Sequence, residues 1–295
     1  MTVIDVSRDD TTPTIATTTA AIVAPRCAAT APGRPTSTVG FVATATTVAG
    51  RTLKQFLRTP QLIVVGALTS TMFLLIFRYV FGGAIGTGPV RYVDFLIPGL
   101  AAAGAMFSGT GGAVGVAEDV DSGLFDRLRS LPIPRSAVLI GRSLADTALV
   151  GWSLLITVGV GYLTGFRFQG SALDAAAAVA LCLAYGAAFT WPFIYMGLTA
   201  GSAQAAQGLS MLAFPFVFVS SAYVPVESMP GWMQPVADHQ PITSMVGSVR
   251  ALALGDQAEA ALGHSAGWYA VRALLWSVAI IAVFLPLCTR RFANS

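Results

Sequence analysis

Hydrophobic and polar positions divide this chain into three textures, each with its own structural consequence. Residues 1–40 are rich in Thr, Ala and Pro and show no apolar period, which predicts a disordered tail outside the folded part. Its longest apolar run, Ala20 to Ala24, is far shorter than the core of a secretory signal. From Phe41 to Arg58 the texture changes. Phe41, Ala45, Val48, Ala49 and Phe56 recur at near-helical spacing, Arg51, Lys54 and Arg58 gather on another face, and Pro60 stops the pattern. A basic amphipathic helix of this length lies along a membrane surface with its cations toward the headgroups, although a plain solvated helix has the same pattern.

Six long apolar stretches follow, at Leu62–Phe81, Phe95–Ala117, Val138–Leu163, Leu173–Leu198, Ala205–Val224 and Trp268–Cys288. Each approaches the roughly 20 residues an α-helix needs to cross a hydrocarbon core. The fold class is therefore an all-α polytopic membrane protein with six transmembrane helices. The second stretch, AAAGAMFSGTGGAVGVA, is the least hydrophobic. In it Gly104, Ser108 and Gly112 form a small-xxx-small ladder, and Gly111 and Gly115 a second. Small residues at that spacing let helices approach closely, so this span is expected to pack inside the protein. A weak span with ordinary packing has the same letters.

Composition narrows the class. The chain is 55% hydrophobic and only 11% charged, against roughly 25% charged in soluble domains, and its mean hydropathy is +0.70. So few charges cannot clothe a soluble surface, so much of the molecule faces lipid. An ordinary soluble enzyme, a disordered regulator and a secreted disulfide scaffold are excluded. The net charge of +3, without a basic run among aromatics, gives no footprint for nucleic acid. Cys27, Cys182 and Cys288 are too scattered for a disulfide framework or a metal site.

Orientation follows from the basic residues. Arg8, Arg26, Arg34, Arg51, Lys54, Arg58, Arg127, Arg129, Arg135, Arg142, Arg290 and Arg291 fall on one side of the six spans. Arg78, Arg91, Arg167, Arg250 and Arg272 fall on the other. Twelve against five places both termini in the cytoplasm.

Two segments between spans carry more information. In Glu118–Asp146, Leu124, Leu128 and Leu131 recur at i, i+4, i+7 with Phe125 beside them. Glu118, Asp119 and Asp121 precede this turn and Arg127 and Arg129 end it, an order that suits a helix dipole. Asp121 or Ser122 is placed to cap its start, and Pro132 and Pro134 to end it. The result is a short cytoplasmic amphipathic helix that either lies on lipid or docks into a partner's groove; the pattern leaves both open. On the opposite side, Pro225–Gly267 is too polar to span. Within it Ile242, Met245, Val246, Val249 and Leu252 make one apolar stripe beginning after Pro241, a residue suited to the first helical position. Two short helices at the outer face, against the membrane or in the mouth of a dimer, are expected there; the bland alternative is a connecting loop.

The apolar stretches hold almost no ionisable residue. Arg78, Arg142, Asp146 and Arg272 lie near span ends, where long side chains reach the interface, and Arg142 and Asp146 are spaced to pair at i, i+4. Proton- and sodium-coupled carriers mark their ion path with mid-membrane charges that cost about 2.5 kcal/mol or more each, so a secondary antiporter is disfavoured. Both histidines, His239 and His264, lie in the outer segment, which leaves no Ser–His pair within the spans. Asp119, Asp121 and Asp126 lack the second acidic cluster of a two-metal cage. The sole lysine, Lys54, follows Leu53, so the Gly-Lys of a phosphate-binding loop is absent. Any ATP site belongs to another polypeptide.

The loop GLFDRLRSLPIP within Glu118–Pro134, the outer PGWMQPVADHQPIT of Pro230–Thr243, the amphipathic N-terminal helix and the six spans together resemble the ABC type-2 permeases. Their daunorubicin/doxorubicin-resistance branch is the most similar, and the resemblance runs from about Phe41 to Phe292. It implies an elbow helix at 41–58 carrying Arg51, Lys54 and Arg58. It implies a coupling helix that meets an ATPase, here Glu118, Asp119, Asp121, Gly123, Leu124, Phe125, Arg127, Leu128, Arg129, Leu131 and Pro132. The second and fifth spans would form the dimer interface and translocation path, with Gly104, Ser108, Gly112, Gln204, Gln207, Phe214 and Phe218 as candidates. The implied assembly has two P-loop ATPase subunits, which hold ATP and Mg, and a second permease, identical or related. It resides in a bacterial plasma membrane and exports an amphipathic drug or lipid-like substrate. No catalytic, cofactor or metal site is expected in this chain. Two readings from other classes are a proton-coupled secondary drug transporter and a polytopic lipid-processing enzyme.

Overall fold

A computed structural model describes residues 38–87, 90–124, 135–255 and 258–294. The tail 1–37 lies outside them, as do Phe125, Arg127, Leu128, Arg129, Leu131 and Pro132 of the expected cytoplasmic helix. Among the described residues the regular structure is helical. Helix α1 is Thr38–Leu57. Helix α2, Pro60–Leu75, opens on Pro60 and continues into a π-wound turn, Ile76–Phe81. Helices α3 (Tyr92–Asp121), α4 (Arg135–Leu163) and α5 (Ala172–Thr199) follow. Next come α6 (Ala203–Ser210), α7 (Ala213–Phe218), a 3₁₀ turn at Val226–Ser228, α8 (Gln234–His239), α9 (Pro241–Leu254), α10 (Ala258–Leu262) and α11 (Ala266–Asn294).

Among the described residues, five helices are long and apolar enough to cross a membrane: α2 with its π turn, α3, α4, α5 and α11. The expected fifth span, Ala205–Val224, is not one continuous helix. It breaks at Met211–Leu212 into α6 and α7, and turns begin at Val219. Helices α3, α5 and α11 continue through Pro98, Pro192 and Pro286, so a proline does not by itself force a break, but Pro215 favours one. It has no N–H for the Met211 carbonyl four residues back, and its ring would collide with that oxygen in a continuous helix. Within the first turn of α7 the missing donor does no harm.

Helix α3 is the centre of the bundle, packed by α5, α4, α9 and α6. Half of its buried residues are glycine or alanine, and Leu96, Ile97, Ala102, Met106 and Ala113 are almost wholly enclosed. In lipid, apolar burial against a neighbour gives little over burial in acyl chains, so close packing has to hold the helices together. Gly109 provides it by accepting the ring of Phe193, and Gly197 by letting α5 approach the backbone of Ala113. Helix α2 is the opposite case. Val64, Val65, Leu68, Met72, Tyr79 and Val80 are exposed, as suits a helix facing lipid.

The outer segment departs most from expectation. A helix does start at Pro241, and Ile242, Met245, Val246 and Val249 are buried while Leu252 is half-buried. It does not lie on a surface, however. Thr243, Ser244, Gly247, Ser248 and Arg250 are buried as well, because α9 is enclosed by α11, α3, α5 and α8. Gly247 lets the Tyr269 ring close upon it. The Gln169 N–H donates to the Ala253 carbonyl at 2.9 Å, tying the end of α9 to the α4–α5 connection.

Candidate functional site

The last turn of α3 carries Glu118, Asp119 and Asp121 and ends on Ser122, whose N–H bonds to the Glu118 carbonyl. Gly123 follows at φ +66°, a conformation glycine adopts without the Cβ penalty of other residues, and it stops the helix. Helical backbone resumes at Leu124. Glu118, Asp119 and Asp121 therefore close α3, and beyond Leu124 the helix that Asp121 or Ser122 was expected to cap lies outside the described residues. At a helix C-terminus carboxylates are disfavoured by the dipole, so they need cations from elsewhere. Asp119 obtains two: Arg51 of α1, with Nη2 at 3.1 Å, and Arg142 of α4, with Nη1 at 3.7 Å.

Arg142 is the hub. Its Nε donates to both carboxylate oxygens of Asp146 at 3.3 Å, and its Nη2 donates to the carbonyls of Gly111 and Gly112 at 3.3 Å. Asp146 is 0% exposed. Two glycines of α3 make the space: a Cβ on Gly112 would lie 2.7 Å from an Asp146 oxygen, and one on Gly115 2.6 Å from Arg142 Nη2. Four charges thus tie α1, α3 and α4 at the point where the chain leaves for the 125–134 segment. Such a buried pair adds little net stability, but removing one partner strands the other, at about 3–5 kcal/mol. Glu118, Asp121, Lys54 and Arg58 are exposed. Lys54 and Arg58 line an open groove of about 700 Å³ along α1, with Thr46 and Thr47.

A second constellation is apolar. Phe107 of α3 meets Phe214 of α7 at 4.6 Å between ring centroids, and Phe214 stacks on Phe218 at 6.4 Å. Phe218 meets Tyr223 at 5.2 Å, Tyr223 stacks on Phe77 at 4.5 Å, and Phe77 on Phe81 at 5.3 Å. Rings from the π turn after α2, from α3, from α7 and from the turn after α7 form one continuous row. Beside it Met211, Leu212 and Phe216 are exposed. Gln204 and Gln207 are exposed on α6, while Phe214 and Phe218 join the row. The small ladder serves packing within the chain: a Cβ on Gly104 would lie 3.1 Å from Ser153 Oγ of α4, and Ser108 donates to the Gly104 carbonyl at 3.0 Å.

Sequence reasoning used Arg250 only in the count of basic residues on the side opposite the termini. The side chain is 2% exposed. Burial pulls its pKa down to about 9, against smaller upward effects of Tyr269, Glu227 and Tyr92, so it remains a cation at pH 7. One signal was available. PITSMVGSVRALAL has no polar face, and a helix that is apolar or small all round is enclosed.

Comparison with known proteins places the chain in context. Residues 45–254 match the family model described as ABC-2 type transporter. The daunorubicin resistance ABC transporter permease protein DrrB1 of Streptomyces coeruleorubidus is 31% identical over 246 residues, covering 83% of this chain and 84% of that protein. The probable doxorubicin resistance ABC transporter permease protein DrrC of Mycobacterium tuberculosis is 26% identical over 230 residues, covering 76% and 82%.

Proposed function

The chain belongs to the ABC-2 type transporter family, and from that premise we propose that it is the transmembrane permease subunit of an ATP-driven exporter. Its substrate is an amphipathic drug or lipid-like molecule taken from the cytoplasm or the inner leaflet of a bacterial plasma membrane. The observation that carries this reading is the likeness to two permeases named for daunorubicin and doxorubicin resistance, over most of both lengths. ATP and Mg belong to a P-loop ATPase in two copies, and a second permease, identical or related, completes the assembly.

The geometry supports a division of labour. Helix α1 acts as the elbow, with Arg51 held by Asp119 and Lys54 and Arg58 toward lipid headgroups. Glu118 to Pro132 forms the coupling element, in which Leu124, Leu128 and Leu131 fill a groove on the ATPase and Arg127 and Arg129 meet its acidic rim. Movement there reaches α1 and α4 through Asp119, Arg142 and Asp146. The aromatic row offers a planar apolar substrate a succession of ring faces, each worth about 0.5–1.5 kcal/mol beyond area burial. The exposed face of Met211, Leu212 and Phe216 meets the second permease. The broken pair α6–α7 counts as the sixth crossing, which returns the C-terminus to the cytoplasm in agreement with the basic-residue asymmetry.

Burying one leucine is worth about 1.5–3 kcal/mol, so losing Leu128 weakens ATPase docking roughly ten- to a hundredfold. Leu128→Asp should abolish export and co-purification of the ATPase while leaving insertion unchanged. Normal export by a well-expressed Leu128→Asp protein would overturn the coupling assignment. Cysteines introduced at Ser130 and Ser295 should be shielded from impermeant thiol reagents in intact cells and one at Gln257 labelled. Labelling at Ser295 with Ser130 shielded would reduce the crossings to five.

A further inference from the structure

At the end of the bundle away from Gly123, a cavity of about 820 Å³ lies among the start of α3, the turn after α7, helices α8 and α9 and the start of α11. Arg250 lines it. The Arg250 Nε donates to the Phe95 carbonyl at 3.1 Å and Nη2 to the Ser221 carbonyl at 2.8 Å, and the guanidinium lies 3.4 Å from the centre of the Phe95 ring. Among the described residues its Nη1 donors have no hydrogen-bond partner, and no carboxylate lies within ion-pair distance. Glu227 acts on it only from the exposed side of the cavity, and an enclosed cation with no carboxylate in contact among the described residues is a costly arrangement to keep.

Arg272 provides a second cation on the same lining. It stacks on Trp268 at 4.5 Å and donates to the Asp238 carbonyl at 2.9 Å, which fixes it at the mouth. His264 stacks on the same Trp268 at 4.0 Å. Glu227 and Asp238 also line the cavity but are exposed. The buried wall is therefore cationic and the carboxylates belong to the open side. An anion enters with its charge toward Arg250 and leaves a neutral or cationic end outward.

We propose that this cavity binds a phosphate-type oxyanion through Arg250 and Arg272, with the aromatic mouth covering the organic group it esterifies. A tetrahedral phosphate presents oxygens in several directions and suits two guanidinium groups better than a planar carboxylate does. The volume belongs to the class that holds drug-sized ligands, about 300–1,000 Å³, which leaves room for more than a bare anion. This site stands independently of the exporter reading, because it rests on the cavity and on the Nη1 donors that Arg250 leaves open there.

The test is thermal unfolding of the purified full-length chain in neutral detergent. The probes are short-chain phosphatidylethanolamine, short-chain phosphatidylglycerol, the matching diacylglycerol and inorganic phosphate. Both phospholipids should raise the midpoint by about 5 °C at a concentration near 100 times Kd, and diacylglycerol should leave it unchanged. If inorganic phosphate reproduces the shift, a free phosphate is the natural anion; if it does not, a lipid headgroup is, and the phosphate chemistry stands either way. Equal shifts with diacylglycerol and phospholipid, or no shift with any probe, overturn the proposal. Arg250→Gln should abolish the phospholipid shift and Arg272→Gln should at least halve it. A full shift in either variant would show that the lipid binds elsewhere. Should Arg250→Gln fail to fold, the wild-type probe series and Arg272→Gln decide the matter by themselves.

Discussion

Arg142 and Arg250 are both enclosed against α3, one toward each end of it, and their surroundings differ in kind. Arg142 is met by the carboxylates of Asp146 and Asp119 and by two glycine carbonyls. Arg250 is met by two carbonyls and a ring face. The first cation is neutralised within the chain, so its region acts as a strut between α1, α3 and α4. The second leaves a charge open toward a cavity, so its region is built to receive something. A buried charge that is balanced speaks for architecture, and one left unbalanced speaks for a ligand.

The comparison can be broken most directly at Asp146. Asp146→Ala leaves Arg142 with the more distant Asp119 and should cost about 3 kcal/mol, the low end for a broken buried pair, read as lost folded protein or a lowered unfolding midpoint in micelles. The double replacement Arg142→Met with Asp146→Leu should recover most of it, and failure to recover would show that the charges do more than balance each other. Among the described residues Arg250→Met strands no carboxylate in ion-pair contact. It leaves the Phe95 and Ser221 carbonyls without their donor, so its cost should stay near 2 kcal/mol; a loss as large as that of Asp146→Ala would erase the distinction between the two ends.

Finer tests concern how the strut is fitted. Gly112→Ala puts a methyl 2.7 Å from an Asp146 oxygen and should cost about 1–2 kcal/mol as the carboxylate shifts. An unchanged unfolding midpoint would mean that the slot is looser than its geometry. The smallest effect belongs to the rim. Arg51 is 49% exposed where it meets Asp119, so Arg51→Ala should cost under about 1 kcal/mol and less in high salt. A larger, salt-independent loss would make α1 part of the strut's core.

Much of this architecture follows from local pattern. The apolar runs that predict spans at Val138–Leu163 and Leu173–Leu198 agree with α4 and α5 to within a few residues. The proline at 241 opens α9 as its position implied. The spacing of Arg142 and Asp146 predicted their pairing. These features depend on hydrophobic period, proline chemistry and i, i+4 distance, all of which are written over a few turns of chain.

Only the tertiary structure decided the rest. Asp119 receives its cations from residues far away in sequence, and its place as the end of α3 depends on a single left-handed glycine. Phe107, Phe214, Phe218, Tyr223 and Phe77 form one row only after the π turn following α2, helix α3, helix α7 and the turn after it have packed together. Arg250 was only one basic residue in a count of sides until α3, α5, α8 and α11 were seen to close around α9. A single helix records which residues share its face, but not how many neighbours surround it. The enclosure of α9, and with it the meaning of its one arginine, is set by contacts between segments that no local period records.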